Sequence, residues 1–182
     1  MTNGASKLAT GAMTRAARLV LMGFDVDGVL TDGTLYFSSQ GDEIKAFSSL
    51  DGHGLKMLQR AGVEVAIISG RSSRALEQRA ANLGIAELHM GVEDKRTLMS
   101  GLAARRGIDL ALAGYMGDDV VDLPILRACG FSAAVADSHA EVLSRVDYVA
   151  GKGGGRGAVR EVCDLILRAQ GKWDAAMAEY LA

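Results

Sequence analysis

Asp25 and Asp27 close the apolar run Leu19-Val20-Leu21-Met22-Gly23-Phe24, and Gly28 follows them. A strand that ends this way delivers two carboxylates to the rim of a sheet. One can attack an electrophile while the other carries a proton, and a hard cation can sit between them. Three later segments offer partners. Ile67-Ile68-Ser69-Gly70-Arg71 ends a second apolar run in a hydroxyl and a glycine amide, Lys95 opens a helical pattern, and Gly117-Asp118-Asp119 ends a third run with Asp122 one turn on. This mixture suits phosphoryl transfer. The carboxylates can hold Mg²⁺, which prefers oxygen ligands. Ser69 and the amides near Gly70 can hold phosphate oxygens at a helix N-terminus. Lys95 supplies a compact positive charge to the transferring group. Phosphoaspartate formation at Asp25 would split the displacement into two steps, with Asp27 moving the proton in each.

The elements that must position these residues repeat one unit, a helix that stops at glycine before an apolar strand. Helix 53–61 stops at Gly62 before a strand over 63–68. A helix with Leu76, Ala80 and Leu83 stops at Gly84 before 85–90. A third, from about Asp94, stops at Gly107 before 110–116, and a fourth, with Leu123, Leu126 and Ala128, stops at Gly130 before 131–136. A short strand over 146–150 and a helix over 157–170 complete the series. Helices alternating with short runs apolar on both faces indicate the α/β class with a doubly wound parallel sheet, whose sites form beyond the C-terminal strand ends. Residues 34–48 break the rhythm. Two extended runs flank Ser38-Ser39-Gln40-Gly41-Asp42, which is turn chemistry, so a β-hairpin flap is expected there. Tyr36, Phe37 and Phe47 put apolar surface on both of its faces, which suggests packing against something outside its own fold.

The chain has 182 residues, 49% hydrophobic and 23% charged, with a net charge of −2. That suits one globular domain, read as residues 18–170, with a mobile leader over 1–17 and a polar tail over 171–182. The charge favours neither nucleic acid nor an anionic membrane. No apolar run approaches the ~20 residues of a membrane helix, and residues 1–18 lack a secretory signal, so a cytoplasmic protein is expected. Cys129 and Cys163 lack metal-ligand spacing and read as reduced core residues.

In family order over residues 19–122, these motifs resemble the haloacid dehalogenase-like phosphohydrolases. Asp25-Val26-Asp27-Gly28-Val29-Leu30 is similar to the first family motif, Ser69 to the second, Lys95 to the third, and Gly117-Asp118-Asp119 with Asp122 to the fourth. The resemblance implies that Asp25 is the nucleophile and Asp27 the acid and base. It implies Mg²⁺ held by Asp25, the Asp27 carbonyl and Asp118, with Asp119 or Asp122 in outer support. A closer resemblance covers residues 18–170. Asp27-Gly28-Val29-Leu30-Thr31-Asp32-Gly33, Asp51-Gly52-His53-Gly54, Ala136-Asp137-Ser138-His139, Asp147-Tyr148-Val149 and Gly154–Glu161 look like the 3-deoxy-D-manno-octulosonate 8-phosphate phosphatases. That family hydrolyses a sugar-acid phosphate on the path to lipopolysaccharide. It implies a homotetramer without a cap domain, whose hairpins meet and whose C-terminal segments reach a neighbour's site. Spacing agrees: 38 residues separate Leu30 from Ser69 and 25 separate Ser69 from Lys95, too few for a large cap. Members usually carry a basic residue where this chain has Leu50, which leaves Arg71 and Arg156 as candidate carboxylate clamps. Asp51 and His53 are further substrate-binding candidates. Phosphatases of nine-carbon, sialic-acid-type 9-phosphates share much of the pattern.

Alternative readings fit less well. Gly151–Gly157 contains a weak dinucleotide pattern, but no further strand follows it. It reads as a hinge before a helix or as an active-site tail bearing Arg156. A signalling receiver domain needs a lone phospho-acceptor aspartate where this chain has Ser69-Gly70-Arg71. A non-catalytic regulatory subunit would be expected to lose Asp25 or Asp27.

Overall fold

The computed structural model describes residues 11–181. Residues 11–16 form a helix, α1. The elements that follow are β1 (Leu21–Phe24), β2 (Tyr36–Phe37), β3 (Glu43–Ile44), α2 (Ser49–Arg60), β4 (Glu64–Ile68), α3 (Arg74–Leu83), β5 (Glu87–His89) and α4 (Lys95–Arg105). The second half contains β6 (Ala113–Met116), α5 (Leu123–Leu126), β7 (Phe131–Ala134), α6 (Ala140–Leu143), β8 (Tyr148–Val149), α7 (Ala158–Ala169) and α8 (Trp173–Leu181). Six strands make one parallel sheet in the order β5-β4-β1-β6-β7-β8. The chain winds outward from β1 through β4 to β5, then returns to β6 on the other side of β1. The ends of β1, β4 and β6 therefore flank the point where the winding reverses, the crevice in which such sheets place their ligands.

The strands read as apolar runs because both faces are covered. Every residue of β1, β6 and β7 is buried. One apolar cluster joins Met22, Phe24 and Ile67 to α2 and α7, and a second joins Leu21, Ile68 and Tyr115 to α4 and α5. Helix α7 shows why the pattern is legible. Its Val159, Val162, Cys163, Ile166 and Leu167 recur at helical spacing, and all are buried.

Several boundaries differ from the sequence reading, each for a local reason. Helix α2 begins at Ser49 and not at residue 53, because Ser48 accepts a hydrogen bond from the Asp51 amide at 3.3 Å and caps it earlier. Residues 110–112 form a 3-10 turn, and β6 starts only at Ala113. Gly62, Gly84 and Gly107 adopt the left-handed conformation expected of helix stops, but Gly130 does not. It is glycine because a β-carbon there would collide with the Ala111 carbonyl. Residues 11–16, expected to be mobile, pack Ala12 and Ala16 into the core; the rest of that expectation, on 1–10, lies outside the described residues. The polar tail is also ordered. Helix α8 lies on its own subunit, with Arg60 3.2 Å from Glu179, the Lys172 ammonium donating to the Ala61 carbonyl at 2.7 Å, and Arg168 stacked 3.8 Å from the Trp173 ring.

The hairpin is present as β2 and β3, paired antiparallel with Tyr36 opposite Ile44. Tyr36, Phe37 and Ile44 are exposed, and Phe47 packs against the main core. No helix among the described residues is long and apolar enough to cross a membrane.

Candidate active site

The end of β1 turns sharply after Phe24. The Asp25 amide donates to the Met116 carbonyl at 2.9 Å, which ties the turn to β6. The amides of Val29, Leu30 and Thr31 all donate to the Val26 carbonyl, at 2.9–3.2 Å. Gly28 stands at φ 87° inside this turn, and a β-carbon there would collide with the Asp118 carboxylate. Glycine is required both for the turn and for the acid that sits on it.

Asp25 is buried. Its Oδ1 accepts from the Val26 amide at 2.7 Å, and its Oδ2 lies 2.7 Å from Lys95 Nζ. Lys95 is at the first position of α4, whose cap is the Asp94 side chain. Its ammonium also lies 2.7 Å from Asp122 Oδ1 and 5.9 Å from the centre of the Tyr115 ring. The other Asp122 oxygen accepts from the Asp118 amide at 3.1 Å. Asp122 thus spends both oxygens on holding Lys95 and the Asp118 main chain. Ser69 follows β4, is buried, and accepts from the Arg71 amide at 3.2 Å.

The electrostatics show a surplus of negative charge. Burial pushes the Asp25 carboxyl up to about 7, helped by Asp122 and opposed by Lys95. Burial and the nearby Asp122 and Asp119 push Asp118 up to about 7 as well. Burial alone would lower Lys95, but Asp25 and Asp122 outweigh it and hold the ammonium above its ordinary value. Asp25, Asp118 and Asp122 each offer an oxygen within 4.8 Å of the others. An oxygen-only donor set with uncompensated charge fits a hard divalent cation such as Mg²⁺.

Most of the sequence-predicted residues meet in one cleft of ≈440 Å³. Asp25, Asp27, Ser69, Gly70, Arg71, Lys95, Asp118 and Asp119 all line it. Asp119 is exposed and caps the 3-10 turn 120–122. Asp122 lies buried beneath the cleft, and three substrate-binding candidates are not brought there. Asp51 accepts from the amides of Gly157 at 3.2 Å and Arg160 at 2.8 Å, so it caps α7. His53 meets the Tyr180 ring edge-on at 5.4 Å. The Arg156 side chain is 72% exposed, and its nearest acid is Asp32, at 4.0 Å. The segment 151–157 is not a free hinge. The Gly155 amide donates to the Val29 carbonyl at 2.9 Å, and Gly154 packs so closely on the Gly28 and Thr31 carbonyls that any side chain would collide. It buttresses the loop after β1.

This arrangement has close counterparts. The chain is 46% identical over 169 residues to 3-deoxy-D-manno-octulosonate 8-phosphate phosphatase KdsC of Salmonella typhi, a match covering 93% of this chain and 90% of that protein. The chain belongs to the 3-deoxy-D-manno-octulosonate 8-phosphate phosphatase family. The family is a branch of the haloacid dehalogenase-like hydrolases, and the parallel sheet without a cap domain agrees with it. A phosphatase of this family from Moraxella catarrhalis, crystallised with magnesium, phosphate and KDO, superposes with a TM-score of 0.90 at 41% identity, over 96% of this chain and 98% of that one. The Yersinia pestis phosphatase superposes with a TM-score of 0.88 at 45% identity, over 90% and 89%. No family model matches the chain.

The sequence reading missed two residues at this phosphatase site. Lys45 pairs with the Asp27 carboxylate, and Glu43 accepts from Arg71 at 3.0 Å. The available signal was their spacing. Two charges at i and i+2 in an extended run share one face of the strand.

Proposed function

We propose that this chain is a Mg²⁺-dependent phosphatase that hydrolyses 3-deoxy-D-manno-octulosonate 8-phosphate to the free sugar acid and phosphate, in lipopolysaccharide precursor synthesis. The observation that carries this reading is the convergence of Asp25, Ser69, Lys95 and Asp118 on one cleft, each from a different loop of the sheet. Asp25 attacks phosphorus as the bond to the sugar oxygen breaks, and Asp27 gives that oxygen its proton. Water then attacks the phosphoaspartate, Asp27 takes the proton back, and Asp25 is released. The Ser69 hydroxyl and the Gly70 amide hold phosphoryl oxygens, and Lys95 faces the transferring group. Asp25, Asp118 and the Asp27 main-chain carbonyl would hold Mg²⁺, with Asp119 and Asp122 in support. The bound ion would offset repulsion between the carboxylates and the phosphate dianion. Arg71, 46% exposed at the mouth, is placed to clamp the substrate carboxylate.

The enzyme is further proposed to be a cytoplasmic homotetramer, with Tyr36, Phe37 and Ile44 of the hairpin at the subunit contact; sedimentation would read a single 19.1 kDa species if this is wrong. Leu50 stands where the family usually has a basic residue, and the second substrate reading is a nine-carbon sialic-acid-type 9-phosphate. One experiment separates the two. With Mg²⁺, the protein releases phosphate from the octulosonate ester, and Asp25→Asn abolishes the release. Turnover of the nine-carbon ester alone overturns the substrate and leaves the chemistry standing.

A further inference from the structure

The hairpin reaches the cleft through charge. Lys45 pairs with the Asp27 carboxylate and lies 3.3 Å from Glu43. Glu43 accepts from the Arg71 guanidinium at 3.0 Å, and Arg71 lies 3.8 Å from Asp27. Two cations and two carboxylates close a ring that joins the hairpin to the ends of β1 and β4. The members differ in exposure. Arg71 stands half open at the mouth, whereas the Lys45 side chain is only 3% exposed. Asp27 and Arg71 line the cleft. An ammonium this far from water is held in place by the carboxylates that offset its lost hydration. It is therefore badly placed to bind substrate and well placed to fix the direction of its partner.

We propose that Lys45 is a positioning residue. With Glu43 it aims the Asp27 carboxylate at the oxygen that leaves phosphorus, which makes the hairpin part of proton delivery within the subunit. This rests on the reading of Asp27 as the proton carrier. Proton delivery matters for an alkyl leaving group, which departs as an alcohol. It matters little for the departure of p-nitrophenolate, which leaves without a proton, whereas hydrolysis of the phosphoaspartate is common to both esters. A loss of general packing would slow both esters alike.

The test compares Lys45→Met, Lys45→Arg, Glu43→Gln and Asp27→Asn on octulosonate 8-phosphate and on p-nitrophenyl phosphate, in the full chain with Mg²⁺, by the single-turnover rate of leaving-group release, which reads the first step alone. Lys45→Met is expected to lower the single-turnover rate of sugar release by roughly 10- to 100-fold, with the half-saturating concentration little changed, and to lower that of p-nitrophenolate release less than about threefold. Lys45→Arg recovers most of the loss, and Glu43→Gln shows the same split more weakly. Asp27→Asn serves as the reference for the split. If it splits the two esters and neither Lys45→Met nor Glu43→Gln does, the inference is overturned and Asp27 keeps its role. Equal losses for Asp27→Asn on both esters overturn the role of Asp27, and the inference with it. Should Lys45→Met fail to fold by circular dichroism, Glu43→Gln decides by the same split.

Discussion

Lys95 stands 2.7 Å from each of two buried carboxylates, and its removal should have two separable effects. Lys95→Met leaves Asp25 and Asp122 facing each other without a counter-charge. Breaking a buried pair from one side costs about 3–5 kcal/mol. Protonation of Asp25 relieves part of that, so denaturant unfolding of the metal-free variant should show a larger deficit at pH 8 than at pH 5. The lost contact to the phosphoryl group should lower kcat at least ~100-fold under Mg²⁺ saturation. Asp25, Asp27, Ser69, Lys95 and Asp118 were all legible in the sequence. Each sits at the end of an apolar run or at a helix start, where the backbone alone fixes its place. The contacts of Asp51 and His53 were not, because what they touch is set by distant chain. The partners of Asp51 lie 106 and 109 residues away, and nothing near Asp51 announces them.

At the scale of elements, the βα rhythm was readable because both faces of the sheet are covered, so strands read as apolar runs and helices as glycine-terminated periods. Its limits were also physical. The 3-10 turn at 110–112 takes apolar Leu110 and Leu112, which imitate the strand they precede. The glycines of 151–157 looked like flexibility, but Gly154 and Gly155 are there to let one loop lie on another. Two substitutions follow from this packing. Gly154→Ala pushes the segment off the Gly28 and Thr31 carbonyls, so both thermal stability and kcat should fall. Asp51→Ala removes the cap of α7 and leaves two amides without their acceptor. Chemical denaturation should show a loss of about 1–2 kcal/mol. Because Asp51 is outside the cleft, KM should stay within about twofold, against the ~10-fold or larger rise expected on losing a charged substrate contact.

For the whole molecule, the acid surplus at the sheet rim makes folding stability depend on pH and metal together. Asp25 and Asp118 titrate near 7 when folded and near 3.8 when unfolded. Between those values the native state holds protons that the unfolded chain has released, so stability falls as pH rises through the window and levels off above about 7. The groups held below their usual values, Asp32, Glu43, Glu87 and Asp94, act in the opposite sense, but their contribution is complete by about pH 5. Over pH 5–8 the rim acts together with Asp51, which burial also raises, so the rim's share is the part that Asp118→Asn removes. In chelator, the melting temperature should decline across that range, and Asp118→Asn should flatten the decline. Saturating Mg²⁺ favours the ionised carboxylates and binds only the folded chain, so its stabilisation should grow with pH and be largest near pH 8. Equal Mg²⁺ stabilisation at pH 5 and pH 8 would mean that the ion binds away from this pair of carboxylates.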